Sequence, residues 1–104
     1  MGIIQGVLEE EYKRLQTLAE KYIQEISALP AGSLSVKNIS GHRYAYIAKR
    51  VGGKIHFKYL GKESTPEVEK LRRRIAERRG LQAKLKTIKN DLAEIERAIG
   101  GRKI

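Results

Sequence analysis

Apolar side chains at Leu8, Tyr12, Leu15, Ala19, Tyr22, Ile26 and Leu29 recur at alternating intervals of four and three residues. That spacing places them on one seam of an α-helix, predicted from about Ile3 to Ala28, with Leu18 and Ile23 widening the stripe. Pro30 and Gly32 end it. A seam of this kind has to be covered, and the chain is too short to bury it in a large core. The rest of the sequence must therefore supply a second apolar face.

A second seam follows at Val68, Leu71 and Ile75 and, after a polar gap, at Leu85, Ile88, Leu92, Ile95 and Ile99. It predicts a longer helix, roughly Pro66 to Ile99. Thr65 suits the N-cap, Pro66 the first turn, and Ser64 with Glu67 has capping-box spacing. Gly80 falls in the gap and marks a bend or a joint between two helices. Gly100 and Gly101 stop the helix. The simplest arrangement is an antiparallel helical hairpin. Anchoring Ile26 on Leu71 sets Tyr12 against Leu85 and Leu8 against Ile88. Leu92 to Ile99 is then left without partners in its own chain, and a homodimer is expected to cover it.

Between the helices the period changes to two. Three short antiparallel strands are predicted at about Leu34–Asn38, Arg43–Val51 and Lys54–Leu60. Gly52 and Gly53 form a two-residue hairpin turn, which pairs Val51 with Lys54, Ala48 with Phe57 and Tyr46 with Tyr59. Tyr44, Tyr46, Ala48, Ile55, Phe57 and Tyr59 share one face, which is expected to be the core. Arg43, Lys49, Lys54, His56 and Lys58 share the other with Ala45, Ile47 and Leu60. At the first hairpin, a three-residue turn containing Gly41 would put Leu34 and Val36 on the aromatic face and Lys37 on the basic one. A two-residue turn of Gly41 and His42 would put Lys37 among the aromatics. Burial favours the first. The expected fold is α+β, two long coiled-coil-like helices flanking a three-stranded meander (α-β-β-β-α), in one domain spanning residues 1–104. Its parts are an N-terminal helix (1–30), a basic meander (31–62) and a C-terminal helix with a short tail (63–104).

Charge is distributed unevenly over these parts. The chain of 104 residues has 22 Lys and Arg against 12 Asp and Glu, a formal net charge of +10. Residues 31–62 hold seven of the basic groups and no acidic one. A balance so basic implies an anionic partner, nucleic acid before an acidic membrane or protein surface. The absence of cysteine excludes disulfides and thiolate chemistry. His42 and His56, with no carboxylate nearby in sequence, make a poor metal site, and no nucleophile–base pair can be assembled. No enzyme, metal or cofactor is therefore expected. No stretch suits a membrane span, and the expected compartment is the cytoplasm. The tyrosines Tyr44, Tyr46 and Tyr59 admit a second reading, a stacking platform for single-stranded nucleic acid, which their assignment to the core disfavours.

The segment RYAYIAKRVGGKIHFKYLGKE, residues 43–63, resembles a group of small uncharacterised helix–sheet–helix proteins of bacteria, archaea and their mobile elements. More loosely it is similar to the three-stranded-sheet DNA-binding domains of tyrosine integrases. That resemblance implies association with DNA. In architecture alone, two helices joined by strands are also similar to prefoldin-type chaperones. The resulting expectation is a non-enzymatic protein that binds duplex DNA through the basic sheet face. The expected contacts are Lys37, Arg43, Lys49, Lys54, His56 and Lys58, with Arg72 and Arg73 as flanking phosphate clamps. The competing expectation is a coiled-coil scaffold module with an acidic protein partner.

Overall fold

The computed structural model describes residues 2–100. The element order is α1 (Ile3–Ser27), β1 (Ser33–Ile39), β2 (His42–Val51), β3 (Lys54–Lys62) and α2 (Pro66–Ala98). This is the α-β-β-β-α arrangement the periodicities predict, and the three strands form an antiparallel meander in the order β1-β2-β3. The described residues group into two compact units. One contains the α1 residues and the part of α2 from Gly80 onward. The other spans Leu29–Arg79. No helix among the described residues is long and apolar enough to cross a membrane.

Local chemistry accounts for the element boundaries. The backbone N–H of Val68 donates to Thr65 Oγ1 at 3.4 Å, so Thr65 caps α2 as its sequence position implies. Glu67 and Glu69 in the first turn oppose the helix dipole. Helix α2 runs without interruption through Gly80, so that residue is neither a joint nor a helix end. The turn at Gly52 and Gly53 has positive φ at both positions (59° and 80°), the condition for a two-residue hairpin matched to strand twist.

In the helical unit, Leu15, Ala19 and Ile88 form the buried cluster, with Leu18, Tyr22, Leu85, Leu92 and Ile95 packed against it. The register differs from the one expected. Tyr12 does not meet Leu85; its phenol O–H donates to Glu96 Oε1 at 2.6 Å. Leu8 and Leu15 share a groove with Ile95 and Ala98, rather than Leu8 facing Ile88. Leu71 lines a groove with Ile47 and Leu60 of the sheet, as described below. Leu92 and Ile95 have partners within the chain, and the expected unpaired tail supplies no argument for a second copy.

Two measurements follow. A Cβ at Gly80 would meet no atom within 4 Å, so Gly80→Ala should stabilise the protein by about 1 kcal/mol through helix propensity. Denaturant unfolding checks this, and a loss of stability would show that α2 is not helical through this position. The hydrogen bond to Glu96 holds the Tyr12 phenol above its usual value of about 10, with desolvation and the charge of Glu96 adding to the effect. A folded-state value raised in this way contributes stability that is fully present below the unfolded value and is lost as pH rises through the folded one. NMR titration of the Tyr12 ring should show the elevation, and Glu96→Ala should reduce it.

Candidate nucleic-acid interface

The meander has two unlike faces, and the buried one is not the aromatic one. Ala45 is fully buried and Ile47 nearly so, as are Val68 and Ile75 of α2. Leu60 and Ile47 line a groove with Leu71, while Leu34 lines another with Ile75 and Ala76. The sheet thus packs its aliphatic side on the first turns of α2. Phe57 and Tyr59 are 52% and 55% exposed, and Tyr44 and Tyr46 are only partly covered. The expectation that Tyr46 and Phe57 form the core is overturned. The covered side chains are the aliphatic ones, with Ala45 at the centre. The tyrosines keep their hydroxyls in water.

The first hairpin corrects the register in the same direction. Ile39 pairs with His42, leaving Ser40 and Gly41 as a two-residue turn with positive φ at both (53° and 81°). Neither of the alternatives read from the sequence occurs. Leu34 pairs with Ile47 and Val36 with Ala45, so both join the aliphatic face. Lys37 pairs with Tyr44 and stands among the aromatics. Burial does select the register, as expected, but toward the opposite face. A shift between Ala45 and Tyr46 leaves Leu60 unpaired as a bulge, with Tyr59 opposite Tyr46 and Gly61 opposite Ala45.

The basic residues divide accordingly. Ile47 faces Lys58, Lys49 faces His56 and Val51 faces Lys54, so Lys49, Lys54, His56 and Lys58 share the aliphatic face toward the β2–β3 turn. Lys49, His56 and Lys58 line one groove with Ile47, Leu60 and Leu71. Among the described residues, no carboxylate lies at ion-pair distance from Lys49, Lys54 or Lys58. Arg43 is paired with Glu63 at 3.0 Å, and Arg72 and Arg73 both approach Glu69, at 3.5 and 3.6 Å. The eight residues singled out in the sequence are therefore not one surface. Four cluster near the β2–β3 turn, three have carboxylate partners, and Lys37 lies on the other face.

The tyrosines, admitted from the sequence as a stacking platform but assigned to the core, form with Phe57 an exposed aromatic row. The Tyr46 and Tyr59 rings are 5.4 Å apart, the Tyr44 and Tyr59 rings 6.1 Å, and His42 lies 6.4 Å from Tyr44, all tilted. The Lys37 ammonium sits 4.8 Å from the Tyr46 ring centroid and 4.4 Å from that of Phe57, within cation–π range. Arg50 pairs with Ile55 and Lys62 with Tyr44, placing two more cations on this face. The available signal was chemical: three of its four aromatics are tyrosines, and the opposite face holds the aliphatics. Among the described residues, no three His, Asp or Glu side chains are grouped as a metal ion would require.

The chain belongs to the family described as Domain of unknown function (DUF6788), whose match covers residues 4–70. The match takes in α1, the whole meander and the capped start of α2. No curated protein and no solved structure matches the chain.

The assignment of faces is open to a direct check. Ile47→Ala should cost about 2–5 kcal/mol, as large-to-small changes in a packed core do. Phe57→Ala should cost clearly less, about 1 kcal/mol, because the ring is half exposed and loses mainly its contact with Lys37. Urea unfolding of the two variants measures both, and the reverse order would restore the aromatic face to the core.

Proposed function

We propose that this protein binds nucleic acid through its β-meander and catalyses no reaction on it. One observation carries the reading: the meander presents cations on both faces and contains no acidic residue from 31 to 62. Lys49, Lys54 and Lys58 share one face of adjacent strands, where, among the described residues, no carboxylate lies at ion-pair distance to relieve their mutual repulsion. A polyanion relieves it, and the condensed counterions it releases on binding supply the driving force. Ala45 and Ile47 lie beneath α2, so the surface left on this side is the basic group near the β2–β3 turn. Contacts of this type are made to phosphates, set affinity and position, and carry no sequence information. His56, opposite Lys49, is placed among them with a donor able to meet a phosphate or a base edge.

The test is binding measured across a salt series with a labelled duplex and with the corresponding single strand. The logarithm of affinity should fall linearly with the logarithm of salt concentration. The slope is about −0.9 per phosphate contact on a duplex and about −0.7 on a single strand. Replacing Lys49 and Lys58 together by Ala should lower affinity for both forms and make the slope shallower by about two contacts. Both side chains are exposed, so the unfolding transition should not move. Unchanged binding by the double variant would remove these residues from the interface. Absence of binding to either form at low salt would overturn the function.

A further inference from the structure

We infer that the exposed aromatic face of the meander is a stacking platform for unpaired bases, so that the nucleic acid recognised is single-stranded. This rests on the proposed nucleic-acid function and specifies the ligand. Four aromatic side chains, Tyr44, Tyr46, Phe57 and Tyr59, stand on one side of β2 and β3. The two on β3 leave about half their surface to water. Exposed aromatic surface grouped in this way marks an interaction site more often than an accident of folding. Ala48 faces Phe57 and Ser35 faces Tyr46 from β1, while Ile39 lines a shallow groove with Tyr44, Tyr46 and Tyr59. Unpaired bases offer flat π-surfaces that tyrosine and phenylalanine rings accept whatever the base. Bases in a duplex are already stacked and have no such surface free.

Charge identifies the occupant. Lys37 lies over the Tyr46 and Phe57 rings, while Arg50 and Lys62 stand toward the two ends of the same face. This alternation of ring and cation matches a strand whose bases stack while its phosphates pass alongside. A second copy of the chain docking through the same face would bring equivalent cations toward one another with no acidic group on the meander to compensate. A three-ring core of this size suits about two or three stacked bases, as on other aromatic sheet platforms. The stacking is sequence-tolerant, since no base edge has to be read.

The experiment uses the full chain and a fluorescently labelled oligo(dT), the same strand annealed to oligo(dA), and poly-L-glutamate as a competitor without bases. The single strand should bind more tightly than the duplex, and poly-L-glutamate should compete poorly. Tyr59→Ala and Phe57→Ala should each weaken oligo(dT) binding by about 5- to 150-fold, the effect of losing one base stack. Duplex binding and the unfolding transition should change little. Tyr59→Phe should retain affinity, because the ring and not the hydroxyl makes the contact. Parental oligo(dT) affinity in both alanine variants would overturn the inference, as would equal affinity for single strand and duplex. Competition by poly-L-glutamate as effective as by unlabelled oligo(dT) would also overturn it, in favour of an acidic protein as the partner. Duplex binding that responds to the Lys49 and Lys58 double variant while the aromatic variants change nothing would leave the nucleic-acid function standing and remove the platform alone. No binding to any nucleic acid would remove both.

Discussion

The packing of Ala45 and Ile47 against Val68, Leu71 and Ile75 governs most of what the molecule presents to solvent. A three-stranded meander has two faces and one adjacent helix segment in its unit, so covering one face exposes the other. The covered side is the one with the smaller and more aliphatic side chains. Ala45 sits at its centre with no exposed surface. The cost is that Phe57 and three tyrosines remain in contact with water. The same choice divides the basic residues into a group near the β2–β3 turn and a set interleaved with aromatic rings.

Much of the architecture was legible in the sequence. Thr65 and Pro66 announced the start of α2, and Gly52 with Gly53 fixed the second hairpin and its register. The 4–3 spacing from Leu8 to Leu29 announced α1. In each case the signal is local: a cap, a turn or a stripe requires only neighbours in sequence. The assignment of the faces was harder because it depends on what lies opposite. Both faces of the meander alternate correctly, and counting apolar residues favoured the one with the large aromatics. That count gives Phe57 and Tyr59 more weight than Ala45, although Ala45 is the fully buried one. The first hairpin compounded the error. Ser40 adopts a positive φ that glycine or asparagine takes more readily, so the two-residue turn was not apparent.

The helix register was illegible for a related reason. Both seams keep the same period, so sliding one past the other by whole turns preserves the pattern. In the fold Leu71 and Ile75 lie beside the strands, and α1 packs on the later part of α2, where Leu85, Ile88, Leu92 and Ile95 lie. The bond from Tyr12 to Glu96 records the result. The candidate site inherited both uncertainties: the lysines were correctly grouped on β2 and β3, whereas Lys37 changed sides with the register of β1.

The contact between Tyr12 and Glu96 also spans 84 positions of sequence. A ribosome adding about 5–20 residues per second takes several seconds to cover that distance. For most of that interval α1 is complete while the residues that cover Leu15 and Ala19 have not been made. The meander, whose pairings join neighbouring strands, has no such delay. Synthesis therefore imposes an order of assembly, with the hairpins closed first and the helix pair closed last. Glu9, Glu10 and Glu11, beside an apolar stripe that must wait in water, give the nascent segment a charge opposite to that of the basic strands that follow it.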